Sequence, residues 1–259
     1  MPFLDLADLR VHYRFDGLAD KPVLMLGNSL GTSLEMWEPQ VPALSARWRL
    51  LRYDARGHGS TGVTPGPYTI PQLGGDAIAM ADRLGVERFA FCGLSMGGMI
   101  GQWLGVHAAA RISALVLCNT AALIGPPEVW NTRIARVRAG GMAAITDAVI
   151  ARWFTPEFIA RSPDPVARLK AQLLATPPDG YVACCEAVRE MDQRSDAARI
   201  GTRTLVIAGT DDLATPAADT RWLADQIVGA QYVELPAAHI SNLEQPELFT
   251  SALTDFLAS

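Results

Sequence analysis

The sequence predicts an α/β protein in which a mostly parallel sheet is flanked by helices, and three observations predict it. Short runs such as residues 22–26, 112–118 and 203–209 are almost continuously apolar, the pattern of strands covered on both faces rather than of strands with one wet side. Between them lie segments with apolar residues at helical spacing, as at Ile70, Leu73, Ala77, Met80, Ala81 and Leu84. Polar, glycine-bearing loops follow several of the runs, where ligands bind in open α/β sheets. A chain of 259 residues with 49% apolar content is long enough to bury roughly three quarters of its unfolded surface around one core.

Taken in order, residues 3–15 alternate through Leu9, Val11, Tyr13 and Phe15 and read as edge strands closed by a turn at Asp16-Gly17. The run at 22–26 ends in the loop Gly27-Asn28-Ser29-Leu30-Gly31-Thr32. Residues 36–46 read as a short helix and 48–53 as a returning strand. The turn-rich stretch Asp54-Ala-Arg56-Gly57-His58-Gly59-Ser60 comes next, in which His58 is expected to be structural. The helix at 70–84 precedes the apolar run 88–92, which leads directly into Gly93-Leu94-Ser95-Met96-Gly97-Gly98 and out into a helix carrying Met99, Ile100, Trp103 and Leu104. Strand, sharp turn and helix in that order, with glycines two residues either side of a serine, describe a nucleophile elbow. After the strand at 112–118 the rhythm breaks. Residues 121–199 carry helical patterns punctuated by Pro126-Pro127, Gly140-Gly141, Pro156, Pro163, Pro165 and Pro177-Pro178, so a helical cap is expected there, inserted between core segments 1–120 and 200–259. Strands resume at 203–209 and 231–235 around a helix at 217–228. A last amphipathic helix carries Leu248, Phe249, Ala252, Leu253, Phe256 and Leu257.

Composition narrows the function. A net charge of −5 without runs of like charge supplies no general field for nucleic acid or anionic lipid. No apolar stretch approaches the roughly 18 residues of a membrane helix, and Met-Pro-Phe-Leu-Asp at the start lacks the basic residues and apolar run of a signal peptide. A cytoplasmic protein without membrane or nucleic-acid partners is expected. Cys92 and Cys118 sit in strand-like runs and Cys184-Cys185 in a helical one, without zinc-ligand spacing. Reduced thiols and no metal site are expected.

A serine hydroxyl attacks only when a base takes its proton, and the base needs a third group to fix its tautomer. Acids follow the strand at 203–209, in Gly209-Thr-Asp211-Asp212-Leu-Ala-Thr-Pro216, and a histidine follows the last strand, in Pro236-Ala-Ala-His239. Nucleophile, acid and base in this order, each just beyond a strand, belong to the α/β-hydrolase arrangement. The fold expected is therefore an α/β-hydrolase fold with a mostly parallel eight-stranded sheet. That arrangement asks for two oxyanion donors, here the backbone N–H of Met96 and, from the first loop, that of Leu30. Of the two acids, Asp212 is chosen, because its position after Gly209 and before Pro216 matches the acid of related hydrolases.

Gly27-Asn-Ser-Leu-Gly-Thr32, Arg52-Tyr-Asp-Ala-Arg-Gly-His-Gly59, Phe91-Cys-Gly-Leu-Ser-Met-Gly-Gly98 and Leu117-Cys-Asn-Thr-Ala121 together resemble the 3-oxoadipate enol-lactonases. The likeness continues through Pro127-Glu-Val-Trp130, Arg152-Trp-Phe154 and Ala238-His-Ile-Ser-Asn242 and so covers nearly the whole chain. It implies hydrolysis of 3-oxoadipate enol-lactone in aromatic catabolism, with no metal or cofactor and with a small lactone bearing a carboxylate as partner. Oligomeric state does not follow from it. Asn28-Ser29 stands where many α/β-hydrolases have His-Gly, which sharpens the likeness and puts Asn28 at the substrate. In the cap, Trp130 and Arg133 lie three residues apart and share a helix face, so Trp130 is expected to wall the ring while Arg133 holds the carboxylate. The rival activities are those of other cofactor-free relatives, namely esterase, perhydrolase and carbon–carbon bond hydrolase. A small-molecule receptor on the same fold is the rival of a different class.

Overall fold

The computed structural model describes residues 2–258. Its strands are β1 (Phe3–Asp5), β2 (Arg10–Asp16), β3 (Val23–Gly27), β4 (Arg49–Tyr53), β5 (Phe89–Leu94), β6 (Ile112–Cys118), β7 (Thr204–Gly209) and β8 (Gln231–Leu235). They form one sheet in the order β1-β2-β4-β3-β5-β6-β7-β8. The two pairings that involve β2 are antiparallel and the others parallel. Burial explains the apolar runs, since β5 and β7 are buried at every position and β3 and β6 at nearly every one.

The register brings the strand ends together. Gly27 pairs with Gly93, Leu94 with Cys118, and Gly209 with Leu235. The loops after β3, β5, β6, β7 and β8 therefore open at one edge of the sheet. The core helices are α1 (Val41–Leu44), α2 (Ile70–Arg83) and α3 (Met96–His107), followed after the insertion by α9 (Ala217–Gln226), α10 (Ser241–Glu244) and α11 (Pro246–Ala258). The insertion between β6 and β7 supplies α4 (Pro127–Gly140), α5 (Thr146–Trp153), α6 (Pro156–Arg161), α7 (Pro163–Ala175) and α8 (Pro178–Arg189).

The helix expected at 36–46 takes a different form, a 3₁₀ segment Leu34–Gln40 followed by the single turn of α1. Pro39 lies inside the first segment and Pro42 at the start of the second. A proline has no N–H to give an i−4 carbonyl, so the tighter i−3 pattern replaces a continuous α-helix.

The insertion is held to the core mainly through α8 and the junctions between its helices. A Cβ on Gly57 would meet the Gly180 backbone at 2.6 Å, so two backbones touch there and glycine is required on both sides. Nearby, the Tyr68 N–H donates to the Ala183 carbonyl (3.2 Å), and at the end of α5 the Ile240 N–H donates to the Trp153 carbonyl (3.0 Å). By contrast, the hydrogen bonds that leave α4 run to α8 and to its own lead-in. Arg189 donates to Asn131 (2.7 Å), Arg138 to Glu186 (2.9 Å), and Trp130 Nε1 to the Ile124 carbonyl (2.8 Å).

Candidate active site

Ser95 occupies the single residue between β5 and α3, at φ 58° and ψ −115°. This backbone region costs a residue with a side chain about 1–3 kcal/mol and persists only where its surroundings hold it. Here the Ser95 N–H donates to the Cys118 carbonyl (2.9 Å), and the Ser95 carbonyl accepts from Thr120 Oγ1 (2.9 Å) and the Met99 N–H (3.0 Å). The glycines permit close approach. A Cβ on Gly93 would run into the Gly97 carbonyl, and one on Gly97 into the Gly27 carbonyl. The turn thus packs against β3, with the Gly97 N–H on the Asn28 carbonyl at 2.9 Å.

Of the two aspartates after β7, Asp212 turns inward. Its Oδ2 lies 2.8 Å from His239 Nδ1 and also accepts from Asn119 Nδ2 (3.0 Å) and Thr215 Oγ1 (2.8 Å). Its Oδ1 accepts from the N–H groups of Ala214 (2.7 Å) and Thr215 (2.9 Å). Burial alone would raise this carboxyl, but the His239 charge, the His239 hydrogen bond and the Thr215 and Asn119 donors outweigh it and hold the carboxyl at about 2. Asp211 is exposed and accepts from Thr210 Oγ1 (2.8 Å). No hydrogen bond joins Ser95 to His239 among the described residues, but both line one cavity of about 350 Å³. Catalytic contacts of this kind are often long without ligand.

Two residues on the cavity wall, Leu30 and Met96, have backbone N–H groups without an acceptor among the described residues. Met96 is the first residue of α3, so its N–H is an orphan of the helix terminus and carries the positive end of the helix dipole. Trp130 and Arg133 line the same cavity, the Arg133 Cζ 4.7 Å from the Trp130 ring centroid.

Asn28, expected at the substrate, is not on the cavity wall. Its Nδ2 donates to the Tyr53 carbonyl (2.6 Å) and its Oδ1 accepts from Trp37 Nε1 (2.9 Å). A buried amide is stable only when both ends are paired, and here packing supplies both partners inside the protein.

Asn119, Thr215 and Arg152 stand in the sequence motifs above without a role assigned to them, and the structure brings all three to the site. Asn119 sits at φ 45° directly after β6 and bridges the loops that carry Asp212 and His239. Its Nδ2 also donates to the Ala238 carbonyl (3.2 Å), and its Oδ1 accepts from Ser241 Oγ (2.5 Å). Asparagine tolerates positive φ better than most residues, and an asparagine ending a buried run is the signal that marks it. Arg152 lines the cavity and donates from Nη2 to the Leu213 carbonyl, next to Asp212.

His58 is buried and lies off the cavity wall. Its Nε2 accepts the Gly31 N–H (2.8 Å) while Nδ1 faces the Arg56 carbonyl (3.2 Å), so the neutral ring supports the loop that presents Leu30. Asp54 serves His12 (2.7 Å) and the N–H groups of Leu34 and Ser60. Burial pushes the His58 pKa below its ordinary 6.5. The unfolded chain then binds a proton that the folded chain does not, so stability is complete above pH 6.5 and falls as pH drops below it, by up to about 1.4 kcal/mol per pH unit. His58→Gln is expected to lower Tm at pH 8 and to make the decline of stability below pH 6.5 shallower. Denaturant titrations at each pH check this, and an unchanged slope would contradict it.

Comparison with known proteins gives three findings. The family model for the alpha/beta hydrolase fold matches residues 22–246. Two enol-lactonases of Acinetobacter baylyi are similar along almost their whole length. 3-Oxoadipate enol-lactonase 2 is 42% identical over 96% of this chain and 94% of that protein, and 3-oxoadipate enol-lactonase 1 is 38% identical over 95% and 92%. The crystal structure of the enol-lactonase from Burkholderia xenovorans LB400 superimposes with a TM-score of 0.98, at 47% identity and full coverage of both chains.

Proposed function

The chain belongs to the alpha/beta hydrolase family, and from that premise we propose that it hydrolyses 3-oxoadipate enol-lactone to 3-oxoadipate, in the β-ketoadipate branch of aromatic catabolism. One observation supports the substrate above all. In a chain similar to two 3-oxoadipate enol-lactonases, the cavity holding Ser95 and His239 is walled by Arg133 and Arg152, neither of which has an acidic partner among the described residues. A lactone bearing a carboxylate supplies both the ester for the serine and the anion for the arginines.

In the mechanism, the Asp212 carboxylate accepts a hydrogen bond from His239 Nδ1–H and stays ionised, so that the lone pair of Nε2 takes the proton of Ser95 as its oxygen attacks the lactone carbonyl. Leu30 and Met96 N–H groups receive the oxyanion, worth about 2.7–4 kcal/mol of barrier for each donor in comparable sites. Collapse of the tetrahedral intermediate breaks the ring C–O bond, the enol oxygen takes the proton from His239, and the enol tautomerises to a ketone. Water then gives a proton to His239 as it attacks the acyl-enzyme, and collapse of the second tetrahedral intermediate breaks the bond to the Ser95 oxygen, which takes that proton back from His239 as the diacid leaves. Trp130 walls the ring and Arg133 holds the free carboxylate, while α4 to α8, within residues 121–199, cover the site as a cap. No helix of the described residues is long and apolar enough to cross a membrane, and a cytoplasmic location suits a substrate of this kind.

The test is a spectrophotometric assay of the enol-lactone beside neutral lactones and aryl esters. Repeated turnover, with kcat/KM highest for the enol-lactone, is expected; conversion that stops near one equivalent of protein, or a preference for the neutral compounds, would refute the proposal. Arg133→Gln is expected to raise KM for the enol-lactone tenfold or more, the loss of a charge-assisted pair of roughly 1.5–3 kcal/mol. The rise for a neutral aryl acetate should be much smaller, and equal rises would remove Arg133 from its role.

A further inference from the structure

Arg152 and Arg133 stand in an unusual electrostatic position. They share the wall of the catalytic cavity, and they also line an outer groove of about 380 Å³ together with Arg136 and Glu128. The two guanidinium groups thus form part of the partition between solvent and nucleophile. Arg152 Nη2 is engaged by the Leu213 carbonyl, yet its Nε is buried without any hydrogen-bond partner. The one carboxylate on the cavity wall among the described residues is that of Asp219, and it forms no ion pair with either arginine. Burial and the neighbouring Arg133 charge both press the Arg152 pKa downward, with Asp212 opposing them. A guanidinium does not give up its proton in a protein, so the repulsion stands until an anion arrives. A carboxylate offers about four lone-pair sites and can accept from two guanidinium groups at once.

The cavity has a second anion-seeking feature in the free N–H groups of Leu30 and Met96, beside Ser95. Whatever acyl group leaves Ser95 by hydrolysis leaves as a carboxylate at those donors.

We propose that Arg152 and Arg133 form a clamp for a single carboxylate, and that the cavity therefore binds linear dicarboxylates, one end in the clamp and the other at the Leu30 and Met96 N–H groups. The proposal rests on the reading that the substrate carries a free carboxylate, and it adds Arg152 as a specificity-determining residue. Its consequence is competitive inhibition by the diacid product.

The experiment uses adipate, a six-carbon dicarboxylate, against hydrolysis of a neutral aryl acetate, with its uncharged analogue adipamide in parallel. Adipate is expected to inhibit competitively with a Ki at least tenfold below that of adipamide, and Arg152→Gln to raise the adipate Ki tenfold or more. The same variant should raise KM for the enol-lactone by a larger factor than KM for the aryl acetate, a split that a merely structural role would not produce. An adipate Ki within twofold of wild type in Arg152→Gln would overturn the clamp, as would equal inhibition by adipate and adipamide. If Arg152→Gln does not fold, the wild-type comparison of adipate with adipamide decides alone. Enol-lactone turnover without adipate inhibition would overturn the clamp and leave the substrate assignment in place. Adipate inhibition without enol-lactone turnover would support the clamp and sink the substrate assignment.

Discussion

Ser95→Ala is expected to lower kcat on the enol-lactone by about 10⁴- to 10⁶-fold while leaving Tm nearly unchanged. The Ser95 hydroxyl makes no hydrogen bond among the described residues, so its removal strands no partner. The bonds that hold the strained backbone run from the Ser95 N–H and carbonyl and survive the change. Alanine meets the same positive φ as serine, so the strain is equal in both. Single-turnover kinetics should show no acyl-enzyme burst, and a melting curve should coincide with that of the parent. Multiple turnover by the pure variant would end the assignment of Ser95 as nucleophile.

Asp212→Asn should cost about 10⁴-fold in kcat, and for a reason visible in its partners. All five groups around the carboxylate are donors or, in the case of His239 Nδ1, act as a donor when the ring is the base. An amide has one accepting end. Whichever way it is turned, its NH₂ confronts either two backbone N–H groups or the Asn119, Thr215 and His239 side. Turned toward His239, the amide donates to Nδ1, the proton moves to Nε2, and the ring no longer accepts from Ser95. A loss of stability of about 1–3 kcal/mol should accompany this, because buried donors lose their acceptor. Asp211→Asn touches an exposed side chain and should leave kcat within a few-fold. The paired pH–rate profiles and denaturant curves check both; a severe loss in Asp211→Asn with a mild one in Asp212→Asn would reverse the assignment.

The parts of this site that could be read from the chain are those set by local pattern. Buried strands announce themselves as apolar runs, and a serine between glycines at a strand-to-helix junction has few other uses. Chain order and strand ends pointed to an acid at 211 or 212 and to His239, and the position of the acid in related hydrolases selected Asp212. What escaped is set by contacts distant in sequence. Asn119 reaches Asp212 across 93 residues, and no periodicity encodes that meeting. Asn28 misled for the converse reason. A polar residue in a ligand-side loop looks available, and only packing shows that Tyr53 and Trp37 already occupy its amide. Residues 36–46 read as a helix, but Pro39 and Pro42 dictate which hydrogen bonds the chain there can use.

The uneven attachment of the insertion bears on the timing of the catalytic cycle. With α8 seated backbone to backbone at Gly57 and Gly180 and the end of α5 bonded to Ile240, an opening that preserves those contacts but breaks the Arg189–Asn131 and Arg138–Glu186 bonds to α8 would move α4. That helix carries Trp130 and Arg133. Admission of substrate and relaxation of its grip are then one displacement, expected on the microsecond-to-millisecond scale of lid motions. A tighter hold on the departing diacid would lengthen the closed interval, so affinity gained at α4 is repaid in residence time, and release rather than bond breaking would set the rate at saturation.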